Sequence, residues 1–204
     1  MRDLEIRGAG NLLGTGQSGH VAAVGYDLYC QMVNEAIAQL NGVPVEEPDE
    51  IVLEVPMPAF LPPDYVERDD LRLDAYRRLA SVGTHADVDD IGAEWLDRFG
   101  PVPAPAAALL QVAHLRAECV RTGVREITVT KSPALSGGGL LATLSPITLP
   151  QSRQMRLARL YKGATYREEQ HELRLPIKGG AALADDLVAA LVELVPEAAP
   201  AAAG

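Results

Sequence analysis

The apolar pattern of this 204-residue chain changes period once, and that change constrains the fold more than any other feature. Up to about residue 122 the apolar residues recur at helical spacing, and Val88, Ile91, Trp95 and Phe99 form the clearest run. Residues three or four apart share one face of a helix, whereas alternate residues share one face of a strand. Beyond Gly123 the period is two. Residues 126–131 and 140–145 read as short strands around a Gly137-Gly138-Gly139 turn, and 164–177 reads as a second hairpin. Helices first and hairpins afterwards predict an α+β domain rather than a doubly wound parallel sheet.

Capping chemistry sets the predicted boundaries. A helix over 67–82 carries Leu71, Leu73, Tyr76 and Leu79. The next, over 85–99, has Thr84 as N-cap and Asp87 three places on, a capping-box spacing, and stops at Gly100-Pro101. Pro105 suits the first turn of a third helix that reaches Arg121 and closes at Gly123. Shorter helices are expected over 152–161 and 181–195. Upstream, six prolines make 43–65 a linker with one strand at 51–55. Residues 24–40 read as a helix with a wide apolar stripe, preceded by a glycine-rich stretch. The resulting division is 1–42, 43–65, a compact domain over 66–196, and an Ala/Pro tail over 197–204 expected to be disordered.

Composition excludes several classes. The formal net charge is -10, from 28 acids and 18 bases. Residues 43–100 hold fifteen acids and five bases, while 101–180 hold five acids and eleven bases. So acidic a chain repels phosphate at long range, which weighs against a stand-alone nucleic-acid binder, although the basic 121–174 region keeps a nucleic-acid-binding module as an alternative. No apolar run reaches the roughly 20 residues that span a bilayer, and no membrane partner is expected. Two distant cysteines suggest no disulfide framework. A reduced, cytoplasmic protein is expected. The lysines sit outside any phosphate-cradling loop, and Leu13 stands where a dinucleotide fingerprint needs a third glycine. The histidines, His20, His85, His114 and His171, are scattered without metal-ligand spacing. No catalytic residue, metal or cofactor is therefore expected in this segment.

Three constellations remain. Arg7 and Gln17 flank the glycine-rich stretch and are long donors able to clamp a phosphate or a neighbouring domain. Glu94, Asp97 and Arg98 lie at i, i+3 and i+4, off the apolar stripe, on one exposed side of a helix. Their bland alternative is an intrahelical Glu94–Arg98 pair worth about 0.2–0.5 kcal/mol. Arg153, Arg156, Arg159 and Lys162 recur by threes, with no interleaved aromatic for base stacking, and read best as a solvated face.

The string RDLEIRGAGNLLGTGQSGHVAAVGYDLYCQM closely resembles the end of the motor of the bacterial transcription-repair coupling factors (Mfd), shared in part with RecG helicases. The stretch LRLDAYRRLA, with WLDRFGPVPAPAAALLQVAHLRAE further on, resembles the C-terminal domain of the coupling factors alone. The resemblance implies a C-terminal fragment in which Arg7 and Gln17 belong to a translocation motif. The ATPase lobes, with their ATP and magnesium, lie elsewhere in such a parent, so no ATP hydrolysis is expected of this segment. It further implies a regulatory domain that clamps a UvrB-like module of the same parent through Glu94, Asp97 and Arg98. That clamp masks UvrA binding until the parent, on double-stranded DNA, engages stalled RNA polymerase.

Overall fold

A computed structural model describes residues 51–133 and 139–196. Arg7, Gln17, the helix expected over 24–40, part of the glycine turn and the 197–204 tail lie outside these residues. The fold is α+β, as expected: the described residues form five α-helices and one five-stranded mixed sheet.

Strand β1 (Val52–Glu54) comes first, then helices α1 (Asp69–Ala80), α2 (His85–Phe99) and α3 (Ala104–Thr122). Strands β2 (Glu126–Lys131) and β3 (Leu140–Ser145) follow, then helix α4 (Gln151–Leu160). Strand β4 (Thr165–Arg167) leads through a short 3-10 turn into β5 (Glu172–Ile177), and α5 (Leu183–Leu194) closes the order. The sheet runs β1-β2-β3-β5-β4, with β1 parallel to β2 and all other pairs antiparallel.

Register explains which side chains build the core. Leu53 pairs with Ile127, Ile127 with Leu144, and Leu144 with Leu173. One pleat along, Val129 pairs with Ala142 and Ala142 with Leu175. All seven are buried, because side chains at alternate strand positions face one side of the sheet. Their core is continuous with the buried residues of α1, α2, α3 and α5. Helix α3 packs against α1, α2 and α5, and it is buried on most of its circumference, from Ala106 to Cys119.

The segment expected to be a linker carries its predicted strand, but that strand is an edge of the sheet, and Ile51, Leu53 and Leu61 belong to the core. The Leu61 amide donates to the Tyr76 hydroxyl at 2.8 Å, tying the segment to α1. Helix α1 itself is shorter than expected. Its inward face holds Arg72 together with Ala75, Tyr76 and Leu79. Buried Arg72 donates to the carbonyls of Val66, at 2.6 Å, and Glu67, at 3.1 Å, and pairs with Asp69. A buried guanidinium is tolerable only when so satisfied. Among the described residues, no helix is long and apolar enough to cross a membrane.

Candidate partner-binding face

Helix α2 positions the candidate face. The Asp87 amide donates to Thr84 Oγ1, and the Asp87 carboxylate accepts from the Thr84 amide at 3.0 Å, completing the predicted capping box. The Thr84 hydroxyl also donates to that carboxylate, at 2.8 Å, and this bond foremost, then those from the Thr84 and Gly83 amides, holds the Asp87 carboxyl below its ordinary range. Gly100 ends the helix at a φ of 85°, in the left-handed half of backbone space that favours glycine. Inward, Val88, Ile91 and Trp95 are buried, and Trp95 is 1% exposed. Tyr65 braces the last turn: its hydroxyl lies 3.1 Å from the Trp95 carbonyl and 3.0 Å from that of Gly100, and its ring meets Phe99 edge-on.

Outward, the three predicted residues divide. Glu94 is half-buried and doubly paired, to Arg98 on its own helix at 2.5 Å and to Arg78 of α1 at 2.6 Å. The hydrogen bond from Arg98, then that from Arg78, lowers the Glu94 pKa. Arg98 also lies over the Phe99 ring, 5.1 Å from its centre. Asp97 is exposed and has no side-chain partner among the described residues. Beside it stands Leu96, 57% exposed, an apolar residue that the charge pattern did not single out. The bland Glu94–Arg98 pair therefore forms, and the exposed parts of this face are Leu96, Asp97 and the outer edge of Arg98.

The basic series behaves differently. Arg156 pairs with Glu193 of α5, and Arg153 donates to the Glu193 carbonyl at 3.4 Å. Helix α4 ends at Leu160, so Lys162 lies beyond it. Ser152, Arg153, Met155, Arg156 and Arg159 line an open groove of about 510 Å³. Elsewhere in the basic half, Arg121 is bound to Glu118, and Arg167 and Arg174 both pair with Glu172.

A cluster that sequence reasoning missed joins α2 to α3. His85 and His114, 29 positions apart, bring their Nδ1 atoms to 2.8 Å, and His85 Nε2 lies 2.6 Å from Glu118. Glu118 is 2% exposed and takes Arg121 Nε and Nη2 at 2.5–3.1 Å. Burial pushes its pKa up, but the bonds from Arg121 and His85 together outweigh burial and lower it. The Glu118–Arg121 spacing of three was the one local signal. Among the described residues no set of three or more His, Cys, Asp or Glu side chains is arranged to hold a metal ion.

Residues 55–135 match the TRCF domain family. The chain is 43% identical over 188 residues to the transcription-repair-coupling factor of Mycobacterium tuberculosis, an alignment covering 87% of this chain and 15% of that protein. The corresponding protein of Staphylococcus haemolyticus is 40% identical over 126 residues, 61% of this chain and 11% of its own length. The chain thus spans a small fraction of these relatives. A solved structure described as the C-terminal domain of transcription-repair coupling factor superposes with a TM-score of 0.58 at 16% identity, covering 71% of this chain and 93% of that one, which shows a common fold. With its TRCF domain, its sequence identity and this shared fold, the chain belongs to the transcription-repair-coupling factors and corresponds to a C-terminal fragment of one.

Proposed function

We propose that this segment is a regulatory protein–protein interaction domain that uses the outer face of α2 to clamp a UvrB-like module of its parent, masking UvrA binding. Release follows when the parent's ATP-driven motor, on double-stranded DNA, meets stalled RNA polymerase. The observation that carries this reading is the juxtaposition of exposed Leu96 with Asp97, which has no side-chain partner among the described residues, on a helix whose inner face is firmly braced. An apolar side chain beside a free carboxylate suits a basic surface with an apolar recess, because the charge steers and orients while the buried apolar area adds affinity. A clamp that must open is expected to hold through a modest coupling energy, about 1–3 kcal/mol.

The test is a titration of this chain against the isolated UvrB-like module at low and high salt. Saturable binding that weakens with salt and is lost in Asp97→Lys supports the clamp. Absence of binding, both free and with the two pieces tethered, overturns the assignment of this face. Duplex binding by the basic 121–174 region is the weaker reading, since Arg121, Arg153, Arg156, Arg167 and Arg174 already have partners within the domain.

A further inference from the structure

The His85–His114 contact fixes more than a distance. The two ring centres are 5.0 Å apart with planes within 21°, so the rings meet edge to edge through their Nδ1 atoms. At 2.8 Å exactly one of those nitrogens must carry a hydrogen, since two lone pairs repel and two N–H groups collide. The far ends decide which. Glu118, ionised and gripped by Arg121, can only accept, so His85 donates to it from Nε2. In the neutral ring His85 Nδ1 is then an acceptor, and His114 donates from its own Nδ1. That leaves a lone pair on His114 Nε2, 3.4 Å from Asp89 Oδ1.

We propose that this pair is a one-proton latch between the N-terminal turn of α2 and the middle of α3. A proton added at His114 Nε2 leaves the contact closed. The contact itself holds one hydrogen only: with an N–H on both Nδ1 atoms the two would meet, and the rings would have to part.

The charged groups facing the pair come from three helices: Asp89 of α2, Glu118 and Arg121 of α3, and Asp185 of α5, whose carboxylate is anchored by Gln111 at 2.7 Å. Burial, and then His85, hold the His114 pKa below its ordinary value against the opposing pull of Asp89 and Asp185. Because neutral His114 is favoured in the closed state, opening takes up a proton there as pH falls below the ordinary histidine value of about 6.5. Glu118 remains tied to Arg121, whose Nη1 also binds the Val195 carbonyl at 2.6 Å, so α3 and α5 stay joined while α2 lets go. The latch does not depend on what binds the outer face of α2.

Two measurements on the full chain test it. Long-range nitrogen–proton spectra at neutral pH should show opposite tautomers, Nε2–H on His85 and Nδ1–H on His114; Nε2–H on both rings overturns the proposal. Hydrogen-exchange protection of residues 88–91 should fall by up to about tenfold per pH unit below about pH 6.5. His114→Asn keeps a donor where Nδ1 stands but removes the proton uptake of His114 itself, and it should make the fall with pH shallower than in wild type. His114→Gln, whose amide reaches towards the Nε2 position, should lose protection at neutral pH. Equal pH dependence in wild type and His114→Asn overturns the latch, and the tautomer spectrum decides the matter if either variant fails to fold.

Discussion

Arg78 of α1 reaches Glu94 of α2 at 2.6 Å, and so turns the most acidic-looking position of the candidate face into part of the domain's own structure. Glu94 is shared between Arg78 and Arg98, whereas Asp97, one turn on, has no side-chain partner among the described residues. Substitutions at these two carboxylates should therefore have different consequences. Asp97→Lys should abolish binding of the UvrB-like module with a change in folding stability within about 0.5 kcal/mol, the usual range for an exposed site. Glu94→Gln should weaken binding less, and it should cost about 0–1 kcal/mol of stability, because part-exposed ion pairs contribute little. Urea titrations beside binding isotherms separate the two.

Leu96 offers the corresponding test of the apolar part. Its side chain has no place in the core, so Leu96→Glu should leave urea-induced unfolding nearly unchanged. The same substitution should weaken partner binding by more than 1.4 kcal/mol, or about tenfold, if the residue is an interface anchor. Binding unaffected by Leu96→Glu would place the contact elsewhere.

Glu118 gives the fold an acid-sensitive point. Its folded pKa is lowered, so its contribution is fully present above the ordinary carboxylate value of about 4.3 and is lost as pH falls through the folded value. Glu118→Gln should flatten the acid limb of the stability curve. Arg121→Ala should cost about 3–5 kcal/mol at neutral pH, because it strips the main partner from a carboxylate that is 2% exposed. A pH series of urea midpoints reads both effects.

Two substitutions probe the brace behind the face. Trp95→Ala removes a side chain that is 1% exposed and should cost about 3–5 kcal/mol. Thr84→Ala removes the hydroxyl that accepts the Asp87 amide, and it should cost about 1 kcal/mol while increasing exchange in the first turn of α2. Calorimetry and hydrogen exchange together check the pair.

How far the sequence was legible depends on how local each signal was. Helix α2 falls on the expected 85–99 because its cap, its stop and its 3.6-residue stripe lie within the helix or next to it. Strands β2 and β3 fall on 126–131 and 140–145 because alternation sets both their limits and their buried faces. At α1 the apolar stripe misled: a buried arginine looks like a surface residue until the Val66 and Glu67 carbonyls that satisfy it are in place. The basic series similarly looked uniform, and only the approach of α5 distinguishes Arg156, which is paired with Glu193, from Arg159. Leu96 was hidden because an apolar residue off the stripe carries no mark of whether a neighbour covers it.

Local spacing by itself determined the elements of the domain, their caps, its α+β class and, through resemblance, the family. Tertiary structure alone decided three things. It brought β1 alongside β2 across some seventy positions. It assigned Glu94 to the domain and Asp97 to the surface, and it set His85 against His114 and Glu118. The physical reason is common to all three. Capping, periodicity and turn chemistry act over a few residues, whereas strand pairing, ion-pair choice and proton placement depend on groups that meet only after the helices have packed.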